Sequence, residues 1–216
     1  MLRIAFAMAV MALTGCATES LLLSSAELSG MRIEEVRISY SAKATVWWGK
    51  AEQDYVAEVN AKAPKDSRPK ASPVRFTDNG GIDQSNADEY EKLIATPEAK
   101  AYLRTRLSAL VSQQLNASVV PKFSGNRAVH LEVEIHSFVI PSAIQRVTLG
   151  GSPMLLAVTT LKDARTGADL GKLDRGAAAT AGQGVLGVLV DQAFSDLEDR
   201  VVQSYVNNVL CWLKPS

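Results

Sequence analysis

Residues 129–136 read Val129-His130-Leu131-Glu132-Val133-Glu134-Ile135-His136. Their strict alternation is a strand with one apolar face and one wet face. A half-solvated strand belongs in a sheet covered on one side only. Downstream, Met154 to Leu161 reads as a strand apolar on both sides. It runs into Asp163-Ala164-Arg165-Thr166-Gly167, whose Asp and Gly carry turn chemistry, and a hairpin partner follows at Ala168 to Leu173. Upstream, Ile33, Val36, Ile38 and Tyr40 give a weakly alternating first strand, and Val46-Trp47-Trp48 a short second one ended by Gly49.

Two amphipathic helices supply the cover. Thr96-Pro97-Glu98 is a helix start: Thr caps, Pro takes a first-turn position whose N–H is not needed, and Glu meets the positive end of the dipole. Ala99, Leu103, Leu107, Leu110 and Val111 then line one face as far as Leu115, with Lys100, Arg104 and Gln113 on the other. A closing helix carries Phe194, Leu197, Val201, Tyr205, Val209 and Trp212, with Val202, Val206 and Leu213 widening the apolar arc. The expected fold class is α+β, with an antiparallel sheet of about four strands and two main helices on one face, a two-layer sandwich. Ala51 to Val59 reads as a short helix. Residues around 61–95 read as a long loop, most clearly from Ala63 to Gly81, and Gly176 to Gly187 as a glycine- and alanine-rich loop or irregular strand.

The N-terminus is read separately. Met1-Leu2-Arg3 is positive, Ile4 to Leu13 is unbroken and apolar, and Thr14-Gly15 is small, the layout of an export signal. The apolar run is too short for a transmembrane helix, which needs ~20 residues. Leu13-Thr14-Gly15-Cys16 resembles the lipobox of bacterial lipoproteins, which implies cleavage before Cys16 and acylation there, with palmitate-type chains holding the mature protein on a membrane. The expected organisation is a signal peptide over 1–15, a lipidated N-terminus and tether over 16–30, and one periplasmic domain over 31–216. Leu21-Leu22-Leu23 in the tether suits either the membrane or docking on the fold. Removing Arg3 with the signal turns 23 basic against 23 acidic residues into 22 against 23. That balance argues against nucleic acid as a partner. Of the two cysteines, Cys16 is assigned to the anchor, and Cys211 is left as an unpaired thiol at the border of the apolar arc.

No constellation points firmly to catalysis. His130, Glu132, Glu134 and His136 share one strand face, with neighbours ~6.6–7 Å apart; one histidine and one glutamate could bridge an ion if a third ligand came from elsewhere, but a solvated face is the expectation. Gly182-Gln183-Gly184-Val185-Leu186-Gly187 fits G-x-G-x-x-G, yet no second strand and acidic residue follow to make a dinucleotide site. No serine sits in a nucleophile-elbow context. The protein is therefore expected not to be an enzyme and to carry no cofactor. Two features suit an interaction surface: the basic loop with Lys62, Lys65, Arg68, Lys70 and Arg75, and adjacent Trp47 and Trp48, which point to opposite faces of a strand.

The residues from Val129 to Leu170, with His136-Ser137-Phe138, Arg146, Gly150-Gly151 and the Asp163–Gly167 turn, together with Val46-Trp47-Trp48-Gly49, resemble a group of uncharacterised proteobacterial lipoproteins carrying a domain of unknown function. The resemblance covers about half of the mature chain and brings no catalytic residue or ligand. In Gram-negative lipoproteins an Asp after the lipidated cysteine favours the inner membrane; here Ala17 follows, which implies the outer membrane, facing the periplasm. The expected function is a lipid-anchored, non-enzymatic interaction or assembly module that binds an envelope protein or component. The alternative is a ligand- or lipid-binding auxiliary of an envelope transport system, using the groove between sheet and helices.

Overall fold

The computed structural model describes residues 23–73, 75–76, 82–141, 152–178 and 197–214. Four strands form the main sheet: β1 (Met31–Trp48), β4 (Arg127–Ile140), β5 (Met154–Asp163) and β6 (Asp169–Ala178), adjacent in that order. β4, β5 and β6 are antiparallel neighbours, whereas β1 lies parallel to β4. The α+β class holds, and the purely antiparallel expectation is corrected to a mixed sheet. The cause is the excursion between β1 and β4. It passes through helices, so the chain re-enters the sheet at the end where β1 began, and such a return makes a parallel pair.

That excursion contains α2 (Gly49–Lys62), the two-residue strands β2 (Arg75–Phe76) and β3 (Ile82–Asp83), α3 (Ala87–Ile94) and α4 (Pro97–Ser118). The expected loop around 61–95 thus holds a small hairpin and a helix. Short elements of this size present too few residues to show a period. The last helix, α5 (Leu197–Trp212), packs with α4 on one face of the sheet. A further short helix, α1 (Ser25–Ser29), precedes β1.

α4 begins as read from the sequence: the Thr96 side chain accepts from the Ala99 N–H, with Pro97 in the first turn. Ala99, Leu103, Leu107, Val111 and Leu115 are buried at a spacing of four, while Leu110 lies on the flank. A four-residue step falls 40° beyond one turn, so the stripe winds around the helix, as an oblique crossing over the sheet requires. α5 buries Leu197, Val201, Val202, Tyr205, Val206, Val209 and Trp212; Phe194 lies outside the described residues. Inside the interface, the Tyr205 and Thr159 hydroxyls are hydrogen-bonded to each other.

β1 is one strand of 18 residues where two were expected. Its register to β4 jumps between Tyr40 and Thr45, and the register of β4 to β5 jumps between Ile135 and Ser137. His136 is the extra residue in β4. Val129, Leu131, Val133 and Ile135 are fully buried; beyond the bulge the buried positions become Phe138 and Ile140. A period of two cannot give that change of parity without an inserted residue. The bulge therefore lets β4 run past the histidine where the sequence reading stopped.

The turn between β5 and β6 follows its residue types. Asp163 accepts from the Arg165 and Thr166 N–H groups at 3.1 and 2.9 Å, and Gly167 has φ 72°. These contacts, with Thr166 first and the Arg127 guanidinium next, hold the Asp163 pKa down at about 2.

Candidate functional site

Among the described residues the helices lie on one face of the sheet, and the side chains of the other face sort into two sectors along the strands. Near the start of β1 and β4 the rows are charged: Glu35 beside His130 beside Lys162, then Arg37 beside Glu132 beside Thr160 beside Lys172. These charges are paired within the sheet. Arg37 binds Glu35 at 2.6 Å and reaches Glu132 at 3.4 Å; Lys162 binds Glu132 at 3.0 Å and approaches Asp169 at 3.7 Å. Hydrogen bonding to Arg37 lowers the Glu35 pKa, and the Glu132 contact raises that of Lys162.

Toward the other end the rows become apolar. Trp47, Val139 and Met154 stand in register, and Leu156 and Val158 follow along β5. Leu156 is 40% exposed, and it stands alone as an exposed large hydrophobic among the described residues. β5 is thus not buried on both sides as its composition suggested: Leu155, Ala157, Thr159 and Leu161 face the helices, and Leu156 and Val158 the open side.

The two tryptophans separate as strand geometry demands. Trp48 is 4% exposed and packs edge-on to Phe138 at 5.4 Å, whereas Trp47 is half-buried on the open face. Trp48 ends β1 beside a buried carboxylate that sequence reasoning did not single out. Glu52 accepts from the Trp48 N–H at 3.0 Å and from the Tyr90 hydroxyl at 3.1 Å. Burial raises the Glu52 pKa against those two contacts. The trio ties β1, α2 and α3 together; a Glu four residues beyond Trp48 in a helix with little apolar periodicity was the available signal.

The four histidine and glutamate candidates do not converge on one point. His130 Nε2 lies 3.9 Å from Glu35, across the strand boundary and not on Glu132, while His136 Nε2 lies 3.7 Å from Glu134. Among the described residues no group of three metal-ligating side chains forms. Of the basic loop, Lys62 contacts Glu58 at 3.4 Å, and Lys65, Arg68 and Lys70 are exposed; Arg75 sits in β2. α2 runs antiparallel to α4, with Asp54 on Arg106 and Glu58 on Tyr102. The start of the loop is therefore carried toward the N-terminal end of α4, away from the residues that open β1.

A shallow groove of about 380 Å³ lies between α4 and α5, lined by Gln113, Gln114, Ala117, Ser118, Asp199, Arg200 and Gln203. All of these but Ala117 are polar residues, although their stems contribute much of the wall. The sheet–helix interface is lined by side chains such as Leu107, Val133, Leu155 and Val206, all 0% exposed.

Cys211, half-buried in the last turn of α5, is in a disulfide and not a thiol. This corrects the unpaired cysteine expected from assigning Cys16 to lipid. Cys16, the export signal and Gly182–Gly187 lie outside the described residues. No described helix is long and apolar enough to cross a membrane.

No known protein family matches the chain, and no curated protein matches it. Among solved structures it is similar to a Caulobacter crescentus protein described as a lipoprotein, with 16% identity over 50% of this chain and 80% of that one, at a TM-score of 0.32. It is also similar to lipoprotein GNA1162 of Neisseria meningitidis, with 13% identity over 76% of this chain and 98% of that one, at a TM-score of 0.23. At those scores neither transfers a residue role to this chain.

Proposed function

We propose that the protein is an envelope lipoprotein, acylated at Cys16 and held on the periplasmic side of the outer membrane, whose domain acts as a non-enzymatic interaction module through the open face of its sheet. The observation that carries the reading is the apolar sector of Trp47, Val139, Met154, Leu156 and Val158 on a face that the described helices leave uncovered. A half-buried tryptophan beside aliphatic side chains has the composition of an interface centre, and the paired charges next to it supply a polar rim. The lipoprotein half rests on Leu13-Thr14-Gly15-Cys16 behind an apolar leader.

Acylation at Cys16 adds the mass of the acyl chains to the mature protein. Intact and peptide mass spectrometry test this. Acyl chains on the N-terminal peptide support the reading; an unacylated chain rejects it. The interaction half is tested in cells with a photo-crosslinking residue at position 156 and, as control, at Thr105 on the outer side of α4. A discrete adduct from position 156 alone, lost when Met154 beside it is changed to Asp, is the expected result. Equal adducts from both positions, or none from 156, reject the open face as the docking surface.

A further inference from the structure

The end of the domain where the chain enters carries a set of cations that the sequence does not single out. Leu23 already packs against the core, and α1 is fixed by a reciprocal cap in which the Ser24 N–H donates to Glu27 and the Glu27 N–H to Ser24 Oγ. Leu28 is 3% exposed and Met31 fully buried. α1 lies inside the tether expected over 16–30, so folded structure reaches back at least to Leu23. Seven residue steps separate Leu23 from Cys16, so the two are at most about 25 Å apart.

Three loops gather at this end. Gly125 N–H donates to Met31 O at 2.8 Å and Arg127 N–H to Gly30 O at 2.9 Å. A side chain at Gly125 would stand 2.1 Å from the Gly30 backbone, so this close approach requires glycine. Lys122 lies just before that contact. The β5–β6 turn is held alongside, with Ala164 N–H on Ala128 O at 3.1 Å and Arg127 on Asp163 at 2.9 Å, and it presents Arg165. α5 starts near Trp48, where Lys50 meets Glu198 at 3.0 Å, and crosses the middle of β5 at Tyr205 and Thr159. Its C-terminal end and Lys214 therefore return to the entry end.

The charges here can be accounted for one by one. Arg127 is paired with Asp163, Arg32 with Glu34, and Asp169 lies near Lys162. Glu27 is held by Ser24. Lys122, Arg165 and Lys214 are exposed, and their side chains make no ion pair among the described residues. This leaves three cations against one carboxylate on the surface nearest the anchor.

We infer that Lys122, Arg165 and Lys214 form a membrane-facing rim that contacts the anionic headgroups of the bilayer in which the anchor is seated. The inference rests on the lipoprotein reading above. Each such cation near an anionic surface favours contact by roughly fivefold, too little to recruit a free protein. A connection of at most about 25 Å makes the contact intramolecular, and weak pairing then suffices to set orientation. The open apolar sector, roughly 35–40 Å along the strands from the entry end, is thereby held away from the lipid, as is the basic loop of Lys62, Lys65, Arg68 and Lys70.

The test uses the mature protein reconstituted in vesicles of phosphatidylcholine with or without phosphatidylglycerol, and reads amine acylation lysine by lysine by mass spectrometry. Lys122 and Lys214 should react about threefold or more slowly on the anionic vesicles, with Lys62 and Lys100 unchanged, and high salt should abolish the difference. Arg165→Glu should shrink the protection at Lys122 and Lys214 without altering the melting temperature. Equal rates at all four lysines on acylated protein overturn the rim while leaving the lipoprotein reading intact. Protection of Lys62 instead assigns the membrane to the other end and also overturns it. An intact mass without acyl chains sinks both.

Discussion

On the covered face of the sheet Val129, Leu131, Val133 and Ile135 are fully buried, while their neighbours on the open face, His130, Glu132, Glu134 and His136, are half-buried or exposed. The same strand thus does two kinds of work. Its covered side excludes water and sets stability through area and shape. Its open side is neutral bookkeeping of charge at one end and unneeded apolar surface at the other. Apolar side chains that the core does not use are the ones available to a partner, so the difference between the faces separates what folds the protein from what it can bind.

The comparison is sharpest for one substitution placed on each face. Leu107→Asp puts a carboxylate at a 0% exposed position between α4 and the sheet and should abolish cooperative folding, a loss of about 4 kcal/mol or more. Leu156→Asp, at a 40% exposed position, should melt within about 1 kcal/mol of the parent while losing the crosslink. Equal destabilisation in thermal melts would mean that the open face is part of the core.

Deleting His136 attacks the boundary between the faces. Without the bulge, Phe138 and Ile140 turn to the open side, and destabilisation of about 3 kcal/mol or more is expected. His136→Ala keeps the residue count and should stay within about 0.5 kcal/mol. A deletion as mild as the alanine variant would show that the strand absorbs the slip elsewhere.

Glu52 is the polar exception on the covered side. Glu52→Ala strands the Trp48 N–H and the Tyr90 hydroxyl and should lose about 1–3 kcal/mol. Glu52→Gln keeps an acceptor without a charge. Because the pKa of Glu52 is raised in the fold, its contribution is fully present below the ordinary carboxylate value and is lost as pH rises through the raised one. The Gln variant should therefore gain on the parent in melting temperature as pH rises from 4 to 8, a series chosen to bracket carboxylate titration. A constant difference across that range would mean that Glu52 titrates normally.

The smallest effect belongs to the turn. The Asp163 pKa is lowered from 3.8 to about 2, so its stabilisation is present above the unfolded value and is lost as pH falls through the folded one. Asp163→Asn should flatten the acid limb of a stability–pH profile between those values. An unchanged limb would assign acid sensitivity to other carboxylates.

The strand at Val129–Ile135, the cap at Thr96-Pro97, the α5 stripe and the Asp163–Gly167 turn were all legible, because each is decided by residues within one turn or one strand of each other. Trp48 in the core and Trp47 outside it followed from alternation in the same way, although which tryptophan went inside did not. The bulge at His136 was not legible, since nothing within β4 marks an extra residue; the neighbours on β1 and β5 do. α3 and the Glu52 trio escaped because α2 and α3 pack by a few buried residues each, without a periodic stripe. The basic loop was conspicuous for its composition, whereas Lys122, Arg165 and Lys214 lie far apart in sequence and become a set only where three loops meet.

The sequence by itself determined α2, α4, α5 and the strands of the main sheet in outline, which side of β4, α4 and α5 is apolar, and that an apolar leader ends at a cysteine, because periodicity, capping and turn chemistry act over a few residues. The tertiary structure alone decided that β1 runs parallel to β4, that Leu156 and Val158 face away from the described helices, that folded structure reaches back to Leu23, and which cations lie beside the point of entry. Those outcomes depend on contacts between segments distant in the chain, where burial and register are settled by the partner and not by the residue itself.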